Sequence, residues 1–136
     1  MLGRDVIGTR WPPHSVLVER GRLRLFAEAI GAPPAAAADR PRVPPTLLFG
    51  LDLDGRPGER LAAMGVDLRR VLHGEQAFTY HRPAYAGDTL TFETTITDLY
   101  ERRGGALQFI VLDTRVTNQH AEHVADMRCV TVVRNG

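Results

Sequence analysis

The sequence predicts an α+β fold in which helices come first and cover a four-stranded antiparallel sheet that follows. Three observations predict it. Residues 19–30 place Leu23, Phe26, Ala27 and Ile30 at i, i+3, i+4 and i+7, one apolar helical stripe. From Val71 the apolar period drops to two, the period of a strand with one buried face. Turn-forming groups, Arg103-Gly104-Gly105 and Asn118-Gln119-His120, separate the last three alternating stretches.

The elements follow in order. Residues 1–13 contain Gly3, Gly8 and Pro12-Pro13 and read as an irregular lead-in. His14–Val18 is short and β-branched, suited to an edge strand. The helix spans Glu19–Ile30, with Glu19 in its first turn, where a negative charge suits the helix dipole. Gly31 is a natural residue to end it, and Pro33-Pro34 forbids continuation. Five prolines make residues 31–45 a loop, with room for one helical turn through Ala35–Asp39. Thr46–Leu51 is apolar and, taken alone, fits either a strand or a buried helix. Asp52–Gly58 is turn-like, and Glu59–Met64 forms a short helical turn stopped by Gly65.

The expected strands are Val71–Arg82, Thr89–Glu101, Ala106–Asn118 and Ala121–Arg134. In the second, Leu90, Phe92, Ile96 and Tyr100 fall on the core face. Phe109–Leu112 is apolar on both faces, so that strand is central. In the last, Ala125, Met127, Cys129, Thr131 and Val133 share a face. Tyr80–Leu90, with Pro83 and Gly87-Asp88, is the corner between the first two long strands. Such a sheet leaves an open edge, which makes a dimer the physical default.

Composition narrows function by exclusion. At 136 residues, with 43% hydrophobic and 24% charged content, positions 1–136 suit a single globular domain. Seventeen basic residues, all arginine, against 16 acidic ones leave a net charge of +1, so nothing points to nucleic acid or an anionic membrane. Cys129 is the only cysteine, which excludes an intrachain disulfide and a cysteine metal cluster and fits a reducing cytoplasm. No signal-peptide pattern opens the chain, and no stretch approaches the ~20 apolar residues of a membrane span.

The stretch His73–Leu90, HGEQAFTYHRPAYAGDTL, resembles the aromatic-x-arginine-proline, then glycine-aspartate, signature of the MaoC-like dehydratase group of hot-dog proteins. It is most similar to the N-terminal, non-catalytic half of that group, and the resemblance runs from about residue 3 to residue 134. It implies a hot-dog fold, an antiparallel sheet wrapped around a central helix beginning at Thr46, and a dimer. The family's catalytic half carries glycine-aspartate, then asparagine-proline, then histidine, just after the first helix. That aspartate and histidine handle the water added to an enoyl thioester, which is general acid–base work. Here Gly31 matches the glycine, but Ala32 stands where the aspartate would be. Pro33, Pro34, Ala35 and Ala36 follow, with no asparagine or histidine, and neither alanine nor proline can transfer a proton.

What the resemblance leaves possible is thioester binding. Backbone N–H groups near Thr46, Leu47 and Leu48 are placed to hold a thioester carbonyl, although Thr46 as a plain helix cap is the simpler reading. Leu47, Phe49, Phe78 and Phe92 are candidates to line an acyl tunnel, against the plainer reading that they are core. Arg82 is a candidate for a coenzyme A or carrier-protein phosphate, against an ion pair with Asp88. His73 and Glu75, two apart on a strand, would share a face and are the weak catalytic candidates, with Asp39 behind them. His14, His120 and His123 read as solvated, and Cys129 as a small hydrophobe. No metal-ligand spacing and no cofactor are expected. The reading is an accessory subunit of an (R)-specific enoyl-thioester hydratase or 3-hydroxyacyl dehydratase. It would bind acyl-CoA or acyl-carrier-protein thioester, as a homodimer or with a catalytic MaoC-like chain. The rivals are a self-sufficient homodimeric hydratase or thioesterase, and a non-enzymatic dimer that binds an acyl ligand or a protein.

Overall fold

The computed structural model describes residues 1–33 and 40–136. The helical turn expected at Ala35–Asp39 and the candidate Asp39 lie outside the described residues, as do Pro34, Ala35 and Ala36. The elements are β1 (His14–Leu17), α1 (Arg20–Ile30), α2 (Leu47–Asp52), α3 (Pro57–Ala63), β2 (Val71–Tyr80), β3 (Thr89–Arg102), β4 (Leu107–Thr117) and β5 (His123–Arg134). Short 3₁₀ turns lie at Arg4–Val6, Leu53–Gly55 and Leu68–Arg70. All five strands form one antiparallel sheet in the order β1-β3-β4-β5-β2. β4, apolar on both faces, is central as its composition requires. β2 and β3 are not neighbours, so the corner at residues 81–88 is a crossover rather than a hairpin.

α1 ends as its glycine predicts. Gly31 takes φ +69, its N–H donates to the Glu28 carbonyl, and the Ala32 N–H reaches back to Ala27. These two bonds satisfy carbonyls that the helix end would otherwise leave unpaired. Glu19 is the residue before the helix rather than in it, and its side chain makes no capping bond. Of the predicted stripe, Leu23 is buried and Phe26 packs on the core, but Ile30 is 55% exposed, because only the first turns of α1 rest on the sheet.

The ambiguous run 46–51 is helical. Leu47, Leu48 and Leu51 of α2 are buried against Leu90, Phe92, Val116, Ala125 and Met127 of the sheet. A second cluster beyond it joins Leu61 and Val66 to Ile96, Leu99, Ile110, Leu112 and Val133. The sheet thus wraps α2, which is the hot-dog arrangement.

Bulges re-aim side chains on three strands. One lies between Ile96 and Asp98 of β3, one between His73 and Glu75 of β2, and one at Val124 of β5, where Ala125 pairs with Val116 and His123 with Thr117. Gly74 sits in the β2 bulge. A Cβ there would lie 2.9 Å from the Val130 carbonyl oxygen and 2.9 Å from Val132 Cγ2. The carbonyl belongs to a paired strand and cannot move aside cheaply. Gly74→Ala is therefore expected to cost ~1–3 kcal/mol. Urea unfolding would measure it, and an unchanged midpoint would mean that the two strands do not approach this closely.

Candidate functional site

The corner holds the start of α2 in place. Its Asp88 is 3% exposed and its carboxylate accepts from the Tyr85 N–H (2.9 Å), the Gln119 amide (3.0 Å) and the Arg40 guanidinium (3.1 Å). The backbone of the corner also ties β1 down: Val18 donates to the Asp88 carbonyl and Gly87 to the Val18 carbonyl, each at 2.8 Å. Residues 41–45 cross the same corner, with Val43 donating to Ala84 and Ala86 to Pro41, each at 2.8 Å. The Tyr80 hydroxyl donates to the Pro45 carbonyl at 2.7 Å. Burial pushes this phenol up to about 12, so it keeps its proton at physiological pH. Arg82 does not meet Asp88 as expected. It pairs with Glu122, while Arg40 takes Asp88 and stacks over the Tyr85 ring at 4.4 Å.

At the helix start, Thr46 is exposed and its side chain caps nothing. The Leu47 N–H donates to Pro44 at 3.0 Å and the Phe49 N–H to Thr46 at 3.3 Å, so both are already engaged. Leu47 and Phe92 are core residues and Phe78 packs on the same cluster. Phe49 is half-buried, with its ring edge-on to His73 at 5.0 Å. Ala32, where the family's aspartate would stand, forms part of the wall of an open groove of about 350 Å³ with Leu23, Ala27, Pro33 and Pro44. Among the described residues lining that groove are three arginines and Glu28, but no histidine.

His73 and Glu75 do not come together. The bulge at Gly74 leaves His73 paired with Thr131 and Glu75 with Val130, on opposite faces of the sheet. The equal-face expectation failed because it assumed an uninterrupted strand. His73 instead approaches the Cys129 sulfur at 4.0 Å, and burial pushes that thiol up.

An acid and a histidine do meet elsewhere. His14 of β1 stacks on Phe92 (5.1 Å between ring centres, 7° between planes), and its Nε2 lies 3.4 Å from Asp52 Oδ1 at the far end of α2 from Thr46. Gly55 closes over the imidazole, so any Cβ there would collide with the ring. Desolvation pushes His14 below its usual value and raises Asp52 to about 6. The adjoining space is about 10 Å³, room for one water at most and far too small for an acyl thioester. The contact therefore reads as part of the packing.

Its sign is testable. The folded-state value of Asp52 lies above its ordinary 3.8, so the folded chain holds the proton more tightly. The resulting stability is complete below about pH 4 and is lost as pH rises through about 6. Asp52→Asn is expected to stabilise the protein by ~1–3 kcal/mol near pH 7.5 and to change little near pH 4. Thermal midpoints of the two proteins across that range decide it, and a destabilised variant at pH 7.5 would show that the charged pair outweighs desolvation.

The structure also gathers a group that spacing did not reveal. His81, His123 and Asp126 converge from β2's end and from β5, with ligand-type atoms all within 4.8 Å. Sequence reasoning missed it because His81 lies 42 positions from His123, and only the β2–β5 pairing and the Val124 bulge bring them together.

A model of the family described as FAS1-like, dehydratase domain region matches residues 5–127. The chain belongs to the FAS1-like dehydratase-region family. A UPF0336 protein of Thermobifida fusca is 34% identical to this FAS1-like chain, with 98% of the chain and 94% of the relative covered. A chain of the C-terminally truncated HadBC (3R-hydroxyacyl-ACP dehydratase) complex of Mycobacterium tuberculosis superposes with a TM-score of 0.80. It is 25% identical, with 96% of this chain and 99% of that one covered. The (R)-hydratase of A. caviae involved in PHA biosynthesis gives 0.67 at 24% identity, covering 92% and 94%. The FAS1-like chain thus belongs to a dehydratase-region family and has the fold of MaoC-like hot-dog proteins.

Proposed function

We propose that this chain is the accessory half of an (R)-specific enoyl-thioester hydratase or 3-hydroxyacyl dehydratase, working beside a catalytic MaoC-like chain. The observation that carries the reading is Ala32 in the groove wall, on a chain otherwise similar to dehydratases over nearly its whole length. A proton-transferring site needs two titratable groups within reach of one water. The partner would supply them. The likeness to one chain of the HadBC complex supports a second hot-dog chain as that partner. In this reading Leu47, Phe49 and Phe78 shape the acyl pocket, Thr46 borders the thioester, and Arg82 faces the phosphate of coenzyme A or carrier protein. The chain would act in the cytoplasm.

The test is co-expression with a MaoC-like chain that carries the aspartate and histidine. The expected result is a stable complex that hydrates crotonyl-CoA at least ~100-fold faster than this chain alone. Turnover by the purified chain alone, abolished by His14→Ala or His73→Ala, would replace this reading with a self-sufficient enzyme. Binding of acyl-CoA by the chain alone, with no turnover and no complex, would leave a binding protein.

A further inference from the structure

We infer that His81, His123 and Asp126 form a binding site for one divalent first-row transition ion, on the outer face of the β2 edge and apart from the groove walled by Ala32. Side chains on that face are set by the register. Asp126 pairs with Thr79 of β2 and Arg115 of β4, opposite in phase to Ala125 and Met127, which point into the core. Three residues apart on a regular strand, His123 and Asp126 would face opposite ways. The extra residue at Val124 restores them to one face. The bulge itself is pinned, since the Val124 carbonyl accepts from both the His81 N–H (2.8 Å) and the Arg82 N–H (3.2 Å). That pair of bonds also seats His81 beside His123, with ring centres 4.3 Å apart.

The donor set suits the ion class. Each imidazole presents Nε2, His81 at 2.8 Å from Asp126 Oδ2 and His123 at 2.8 Å from Oδ1. Two imidazole nitrogens and a carboxylate oxygen are borderline donors that take zinc, nickel or cobalt, whereas calcium and magnesium call for oxygen donors. Of the neighbouring cations, Arg128 donates to Asp113 and Arg82 pairs with Glu122, while Arg115 sits across the strand pair from Asp126. Partial exposure of all three side chains leaves further coordination positions to water. Binding requires the proton to leave each Nε2, which places the remaining imidazole proton on Nδ1.

Zinc chloride titrated into the chelator-treated full chain, followed by calorimetry and by competition with a chromophoric chelator, tests the site. One equivalent per chain is expected to bind saturably. His123→Ala and Asp126→Asn should each weaken it at least ~10-fold, since losing a ligand costs no less than losing an outer-shell partner. His120→Ala should leave it unchanged. The cobalt-loaded protein should show ligand-field bands without a thiolate charge-transfer band, which excludes Cys129 as the donor. Circular dichroism of the metal-free variants checks folding, and His81→Gln repeats the test should one fail to fold. Absence of saturable binding, or wild-type affinity in the ligand variants, would overturn the site.

Discussion

Asp88→Ala is expected to lower stability by ~2–4 kcal/mol, while Arg40→Ala, which removes its ion-pair partner, costs less than ~1 kcal/mol. The asymmetry follows from exposure. The Asp88 side chain is 4% exposed and Arg40 is 60% exposed, so Arg40 and the exposed Gln119 return to water when the carboxylate goes. The Tyr85 N–H loses its 2.9 Å acceptor in a partly buried turn. An unpaired buried donor carries its full desolvation cost. The loss also spreads, because the corner holds both Val18 and the 41–45 segment that leads into α2. In thermal denaturation the larger effect corresponds to roughly 8–16 °C for a chain of this size. Equal midpoints for the two variants would mean that Asp88 serves only as Arg40's counter-charge.

The legible and illegible parts of the sequence divide along physical lines. Local signals translated directly. The Gly31 terminator took its left-handed conformation, and the period-two stretches became four long strands within a residue or two at most ends. Phe109–Leu112 marked the central strand, which pairs with β3 on one side and β5 on the other. Thr46–Leu51 carried no decisive period, and the family resemblance resolved it. Pairing between distant strands was the part that could not be read. The Tyr80–Leu90 corner looks the same whether it closes a hairpin or crosses the sheet, so β2's position beside β5 was hidden. Three site-level surprises depend on that pairing or on a bulge: His73 parted from Glu75, Arg82 directed to Glu122, and His81 brought against His123. A fourth, His14 stacked on Phe92 beside Asp52, depends on β1 lying against β3. The reading of Ala32 at the family's aspartate position comes from comparison with a motif, which requires no knowledge of tertiary structure.

The bulge in β3 sets the sharpest contrast among core positions. Strict alternation would put Phe92, Ile96 and Tyr100 on one face and Leu99 on the other. The shift between Ile96 and Asp98 reverses the phase, so Leu99 is 2% exposed in the second core cluster. Tyr100 turns to the outer face, stacked on Phe109 at 4.8 Å with Arg102 over its ring. Phe92, ahead of the bulge, is 1% exposed and supports both α2 and the His14 ring. Phe92→Ala is therefore expected to cost ~3–5 kcal/mol and Leu99→Ala ~2–5 kcal/mol, each combining lost burial with a residual cavity. Tyr100→Ala should cost no more than ~1.5 kcal/mol, the scale of an aromatic pair on a partly open face. Against a total of ~5–15 kcal/mol, Phe92→Ala approaches the limit at which the chain stays folded at 37 °C. Urea midpoints for the three variants form the test. Should Tyr100→Ala prove as damaging as Phe92→Ala, with Leu99→Ala mild, the strand runs without its bulge and the outer face is assigned the wrong way round from Asp98 onward.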